Sequence, residues 1–206
     1  MNTKEPGSLR LILSLVITGL VSGGVLSGVY QLTLPAIRAN QAEAVKLAVF
    51  KVLPGTMRYE TYVISETGLN LYEGEAGTEP PDRSVYKGFA EDGTVLGYAI
   101  PASGAGFMDT IKILYGFNPQ KRHVVGLAVL ESRETPGLGS KIETDPAFLE
   151  SFLALEVDPQ IKAVPVKKKQ NEVDAISGAT ISSEAVVRII NASLEHLAPY
   201  LNGPGG

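Results

Sequence analysis

The sequence predicts an α+β protein: one N-terminal transmembrane helix, then a single domain with a mainly antiparallel sheet and flanking helices. Three observations predict it. Leu11 to Tyr30 is a run of twenty residues without a charge. From Thr61 to Glu131, short segments rich in β-branched and aromatic residues alternate with turn residues, the pattern of strands joined by tight connections. The chain then closes on Val186, Ile189, Ile190 and Leu197, spaced as the apolar face of a helix.

Residues 1–10 are short and polar, with Lys4 and Arg10. As a helix rising about 1.5 Å per residue, the uncharged run covers the hydrocarbon thickness of a bilayer, about 30 Å. The uncharged stretch continues to Ile37, so residues 11–37 are expected to form the membrane span. Ala42-Glu43-Ala44 resembles a signal-peptidase site, but the apolar region exceeds the roughly 7–15 residues of a signal core. An uncleaved anchor in the lipid bilayer is therefore expected. Ser14, Thr18 and Ser22, with Gly19-x-x-x-Gly23 and Gly24-x-x-x-Gly28, repeat the spacing at which a second helix can approach closely.

The domain is expected over residues 38–201, with 202–206 a flexible tail. Pro35 and Arg38-Ala39-Asn40 are expected to end the span, and Gln41–Leu53 to form a second helix stopped by Pro54-Gly55. Strands are expected at Thr61–Ile64, Ser84–Ala90, Thr94–Ala102, Thr110–Phe117 and His123–Glu131, with a charged loop over 66–83 and a tight turn at Ser103–Gly106. Asp145-Pro146 has the form of an N-cap followed by proline at the first helical position, opening a helix through Phe148, Phe152 and Leu153. Ile161–Val166 reads as a short strand. Thr180 or Ser182 is the expected cap of the closing helix.

Composition removes several functions. With no cysteine, disulfides, thiolate zinc sites, iron–sulfur ligation and cysteine nucleophiles are excluded. Acidic residues outnumber basic ones, 22 to 18, so there is no electrostatic reason to bind nucleic acid. The run Lys167-Lys168-Lys169 reads as a solvated loop. Of the two histidines, His123 enters a strand beside Lys121 and Arg122 and reads as a surface residue, and His196 lies late in the closing helix. No acid–base triad, Walker loop or metal cluster is evident.

Two stretches invite a chemical reading. In Asp174-Ala175-Ile176-Ser177-Gly178-Ala179-Thr180, small residues leave the backbone bare just before a helix. Exposed N–H groups at that place suit an anion such as a phosphate, and the Thr180 hydroxyl stands beside them. The same residues would also make an ordinary capped turn. In Glu134-Thr135-Pro136-Gly137-Leu138-Gly139, a proline and two glycines make a turn, with a carboxylate and a hydroxyl immediately before it. A backbone that lies flat, with N–H donors and a carboxylate nearby, can hold a planar heterocycle.

Asp-x-x-Ser-Gly-Ala-Thr resembles the acceptor motif of flavin transferases, which join FMN through its phosphate to the threonine hydroxyl. Asp174, Ser177, Gly178, Ala179 and Thr180 match it at every position. The order of anchor, Leu-Pro-Gly helix end, strands, Glu-Thr-Pro-Gly-Leu-Gly and Ser-Gly-Ala-Thr resembles the FMN-binding subunit of two related respiratory complexes. These are the G subunit of the Rnf-type ion-translocating ferredoxin:NAD oxidoreductase and the C subunit of the sodium-pumping NADH:quinone oxidoreductase (Nqr). Length fits the Rnf subunit better. Where several Rnf-type relatives carry histidine before Glu-Thr-Pro, Ser132 and Arg133 stand here.

The resemblance implies covalent FMN on Thr180, with Glu134, Thr135, Gly137, Leu138, Gly139, Ser177, Gly178 and Ala179 around the cofactor. It implies recognition of Asp174 and Ser177–Thr180 by a flavin transferase. It also implies a single-pass protein of the cytoplasmic membrane, with the first ten residues cytoplasmic and the domain on the extracytoplasmic side. Such a chain is an electron-carrying subunit of a membrane oxidoreductase, partnered by other membrane subunits and without a substrate site of its own. The alternative is an accessory or regulatory membrane protein with the same domain.

Overall fold

The computed structural model describes residues 7–65, 68–74, 81 and 83–201. The expected tail at 202–206, the first six residues of the N-terminal segment and much of the 66–83 loop lie outside the described residues. Two compact units emerge, Met1–Ala42 and Glu43–Gly206.

From Ser8 to Ala42 the first unit is helical, and the same helix continues into the second unit. Helix α1 runs from Ser8 to Val52 and is long and apolar enough to cross a membrane. Its residues before Leu34 are all exposed. The expected break at Pro35 does not occur, and the separate Gln41–Leu53 helix is the last part of α1. Proline removes one N–H, a loss that a long helix tolerates when its neighbouring turns stay bonded. Just upstream, the Thr33 hydroxyl donates to the carbonyls of Val29 (3.0 Å) and Tyr30 (3.1 Å).

The second unit is built on a seven-stranded sheet. Its strands are β1 (Arg58–Ser65), β2 (Gly68–Leu71), β3 (Ser84–Phe89), β4 (Val95–Ala105), β5 (Thr110–Asn118), β6 (His123–Glu131) and β7 (Leu155–Glu156). They lie in the order β2-β1-β3-β4-β5-β6-β7, and every neighbouring pair is antiparallel. A separate parallel pair joins β8 (Lys162–Val164) to β9 (Glu172–Asp174). The helices are α2 (Pro146–Glu150), α3 (Thr180–Leu201) and a 3-10 turn over Gly139–Glu143.

Alternation along the strands loads both sheet faces, since successive side chains point to opposite sides. On β5, Ile111, Ile113, Tyr115 and Phe117 join the larger core with Val186, Ile189 and Ile190 of α3 and Phe148 of α2. Leu114 points the other way and packs with Tyr86, Ala99 and Ala128 under Ala48, Val49, Val52 and Leu53 at the end of α1. Gly116 and Gly126 are cross-strand partners beneath that end. A Cβ on them would stand 2.0 and 2.7 Å from the Val52 carbonyl oxygen, so only bare backbone lets the helix settle there.

Three expectations need correcting. Ser103–Ala105 is not a turn but the end of β4, paired with Lys112, Ile111 and Thr110. Gly104 is small because Ile189 of α3 lies on it, with Cγ1 2.7 Å from where a Cβ would be. Part of the expected 66–83 loop is β2, whose Leu69 packs against the larger core. Helix α2 stops at Glu150 rather than reaching Leu153, although Asp145 caps it as expected by accepting from the Phe148 N–H at 2.9 Å. His123 is half-buried, with Nε2 4.0 Å from a Glu156 carboxylate oxygen on β7.

Candidate functional site

The Asp174–Thr180 segment is the connection from β9 into α3. The Ala175 N–H donates to the Val164 carbonyl (2.8 Å), continuing the β8–β9 pairing one step past the strand. Ala179 N–H donates to the Ile176 carbonyl (2.9 Å) and closes the turn. The buried Ser183 side chain ties this turn to the helix. Its oxygen accepts from the Ile176 N–H (3.1 Å), and its hydroxyl donates to the Ala179 carbonyl (3.0 Å). Gly178 has φ +79°, a backbone setting costly for other residues. Ser177, Gly178 and Thr180 are exposed, while Ala179 is buried. Asp174 is exposed and accepts from the Lys167 N–H. The Lys168 and Lys169 N–H groups bond the Glu172 carboxylate, so the basic run is a loop folded onto two acids.

Thr180 is the first residue of α3, and Ser183 is the first to bond back four residues, to Ala179. The first N–H groups of a helix have no carbonyl one turn back within the helix itself. Ser182 is not the cap. It lies within the first turn, buried, and its hydroxyl donates to Glu134 Oε2 at 2.5 Å.

The Glu134–Gly139 loop meets this helix start. The Thr135 carbonyl accepts from the N–H groups of Leu138 (3.1 Å) and Ser140 (3.2 Å), and Gly137 N–H donates to the Ser140 hydroxyl oxygen (3.0 Å). Gly137 has φ +74°. Leu138 stands half-exposed on the turn; a Cβ on Gly178 would meet its Cδ2 at 3.6 Å, so the two motifs touch.

Glu134 sits behind the loop rather than on its face. Oε1 accepts from the N–H groups of Phe107 (2.9 Å) and Met108 (3.0 Å), and Oε2 from Ser182. Burial pushes its carboxyl up, but the Ser182 hydroxyl and the N–H groups of Met108, Phe107 and Asp109 outweigh this and hold it below the usual carboxylate range. Both carboxylate oxygens thus accept hydrogen bonds from within the protein.

The structure therefore gathers Glu134, Thr135, Gly137, Leu138, Gly139, Ser177, Gly178, Ala179 and Thr180 at one end of α3, with Asp174 at the strand end leading into it. Sequence reasoning missed Phe107, Met108, Ile181 and Ser183, and it took Ser182 for a possible cap rather than a partner of Glu134. Phe107, Met108 and Ile181 are large apolar side chains more than half exposed; Ile181 follows Thr180, and the other two residues donate their N–H groups to Glu134. Apolar residues in the turn after Gly106, and serines two and three places beyond the threonine, were the available signals. As a setting for a flavin phosphate the residues fit: an exposed hydroxyl at the first position of a helix, an exposed glycine turn just before it, and the Leu138 side chain alongside.

Residues 106–195 match the FMN-binding domain family. The chain is 31% identical over 189 residues to the G subunit of the ion-translocating oxidoreductase complex of Methanosarcina acetivorans, covering 92% of this chain and 94% of that one. It is 26% identical to the G subunit of the Na(+)-translocating ferredoxin:NAD(+) oxidoreductase complex of Acetobacterium woodii, covering 95% and 97%. Among solved structures, the fold is similar to the C subunit of the Na(+)-translocating NADH-quinone reductase from Parabacteroides distasonis. That likeness has a TM-score of 0.61 at 22% identity and covers 80% of this chain and 96% of that one. Shewanella oneidensis NqrC gives 0.59 at 17% identity, covering 78% and 97%. An apolar anchor helix, an antiparallel sheet domain and likeness to G subunits along nearly the whole length agree, and the chain belongs to the Rnf-type G-subunit family of ion-translocating oxidoreductase complexes.

Proposed function

We propose that this protein is the electron-carrying G subunit of a membrane-bound, ion-translocating ferredoxin:NAD oxidoreductase, holding FMN covalently through its phosphate on Thr180. The observation that carries the reading is the exposed Thr180 at the first position of α3, with the exposed turn at Gly178 and Leu138 beside it. When bound, FMN supplies reversible electron transfer, and the protein sets its position and surroundings. The first N–H groups of α3 face a phosphodiester that keeps a negative charge, which the helix dipole favours. Leu138, with Gly137 and Gly139 on either side, lies against the ring, and Thr135 holds that turn through its carbonyl. Asp174, Ser177, Gly178, Ala179 and Thr180 form the segment that a flavin transferase recognises.

Residues 11–37 cross the bilayer, the first ten residues are cytoplasmic, and residues 38–201 form the flavin domain on the extracytoplasmic side. Other membrane subunits of the complex donate and accept the electrons. Identity with G subunits over nine-tenths of the chain favours this reading over an Nqr-type C subunit or an accessory regulator.

The test is to produce the full-length protein with a flavin transferase and an export route, then measure intact mass and in-gel fluorescence after denaturation. Wild type gains the mass of FMN and fluoresces, and Thr180→Val does neither. Fluorescence retained by Thr180→Val, or wild type without the increment, sinks the covalent assignment. Isolation of the wild-type protein with multispanning redox subunits separates the complex from the regulator reading.

A further inference from the structure

Three stretches of the sequence converge on one buried carboxylate. Glu134 Oε1 receives two N–H groups from the β4–β5 turn, Phe107 and Met108, while Oε2 receives the Ser182 hydroxyl from the first turn of α3. The backbone closes around it on both sides. A Cβ on Gly106 would stand 2.4 Å from Oε1, and one on Gly139 would stand 2.7 Å from Oε2 and 2.8 Å from Ser182 Oγ. Gly106 and Gly139 therefore leave room for the carboxylate, and each belongs to a different loop. Arg188, two turns further along α3, donates to the Ala105 carbonyl at 2.7 Å and holds the same β4–β5 turn from its other side.

We propose that Glu134 and Ser182 are positioning residues of the flavin site: they lash the Phe107–Met108 turn and the Leu138–Gly139 loop to the start of α3, setting both against a ring attached at Thr180. This rests on the flavin reading above. The carboxylate is buried and bonded at both oxygens, so it acts through the loops it holds. Leu138, Phe107, Met108 and Ile181 stand exposed on the three segments that meet at Glu134, and the lash fixes where the first three sit relative to the fourth. Removing it frees two loops while the sheet and α3 remain packed through the larger core they share.

The chemistry of the two ends separates position from charge. In Glu134→Gln, the amide oxygen takes the place of Oε1 and keeps both N–H donors. The amide nitrogen faces Ser182, whose hydroxyl turns from donor to acceptor. That variant keeps the lash without the charge. Glu134→Ala loses the lash entirely, and Ser182→Ala leaves one carboxylate oxygen without its partner.

The experiment uses full-length protein produced with a flavin transferase, with far-ultraviolet circular dichroism to confirm folding. Two quantities are read: amide exchange at Phe107 and Met108, and the visible circular dichroism that the protein induces in the flavin. In Glu134→Ala, exchange at these two amides should rise at least about tenfold relative to Tyr115 in β5, since a lost lock of this kind opens locally. The induced flavin signal should be largely lost in Glu134→Ala and reduced in Ser182→Ala, while Glu134→Gln stays near wild type. Should Glu134→Ala fail to fold, Ser182→Ala against Glu134→Gln decides. Loosened amides with a wild-type flavin signal would make Glu134 a residue of the fold alone and overturn the proposal, as would unchanged exchange. Wild type lacking the FMN increment would instead overturn the flavin reading itself.

Discussion

Substituting Gly116 by alanine sets two effects of opposite sign against each other. In a strand interior, glycine is less favourable than alanine by roughly 0.5–1 kcal/mol, so relief of chain entropy alone makes Gly116→Ala stabilising. The packing says otherwise. The new Cβ would stand 2.0 Å from the Val52 carbonyl oxygen, 2.9 Å from its carbon and 3.0 Å from Val125 Cγ2. Carbon and carbonyl oxygen approach to about 3.3 Å at closest, so backbone must part by more than about 1 Å. No flexible side-chain tip is available to give way. A gap of that size forfeits a quarter to a half of each dispersion contact at Ala48, Val49, Val52 and Leu53, which are all buried. Overpacking costs about 1–3 kcal/mol, and an obstacle of backbone places this case at the upper end. The assay is urea unfolding of a chain beginning at Asn40. At about 2 kcal/mol per M, the midpoint should fall by about 1 M or more. Gly126→Ala, whose Cβ would stand 2.7 Å from the same oxygen, should fall less. A Gly116→Ala protein as stable as wild type, or more so, would refute the docking of the helix end on the sheet.

Asp145→Ala removes the cap of α2 and should lower stability by about 1 kcal/mol in the same assay, with the flavin content unchanged; equal stability would show that the bond to Phe148 adds nothing. Glu134 titrates below its ordinary range when folded, so its contribution is whole above that range and is lost as pH falls through the lower folded-state value. The stability difference between wild type and Glu134→Gln should therefore shrink on acidification, and a difference that grows would contradict the geometry. Protease added outside spheroplasts should cut residues 43–201 and spare the N-terminal segment; protection of the domain until the membrane is opened would reverse the orientation.

The strands were legible because their residues alternate. His123–Glu131 has the bounds the sequence predicts, and Thr110–Phe117 differs by one residue. Strands β7 and β9 have two and three residues, too few for a period to emerge, and they form only because neighbours supply the other edge. The continuity of α1 past Pro35 was hidden because proline is a stop signal only where a helix has no reason to continue. At the site, Thr180 and Leu138 were visible as motif residues. The inward turn of Glu134 was not, since its three donors lie 26, 27 and 48 positions away. Ser182 reads as a cap because serine near a helix start usually is one. Its actual partner belongs to another loop, and local spacing carries no trace of it.

The covers of the sheet come from opposite sides of its strands in chain order. Helix α1 precedes every strand, and α3 follows them all. The strands themselves form mostly a meander in which sequence neighbours pair, so the sheet can grow as the chain emerges. Synthesis therefore delivers the α1 face with its cover already made and leaves the other face open until the last helix arrives. Tyr98, Ile100, Ile113 and Tyr115 wait uncovered during that interval. Thr180 takes its place at a helix start only when that final segment docks, so the acceptor is the last part of the domain to acquire its shape. A nascent domain is thus at its stickiest, and its hydroxyl still unplaced, in the same brief stage, which makes completion of α3 the step that ends both conditions at once.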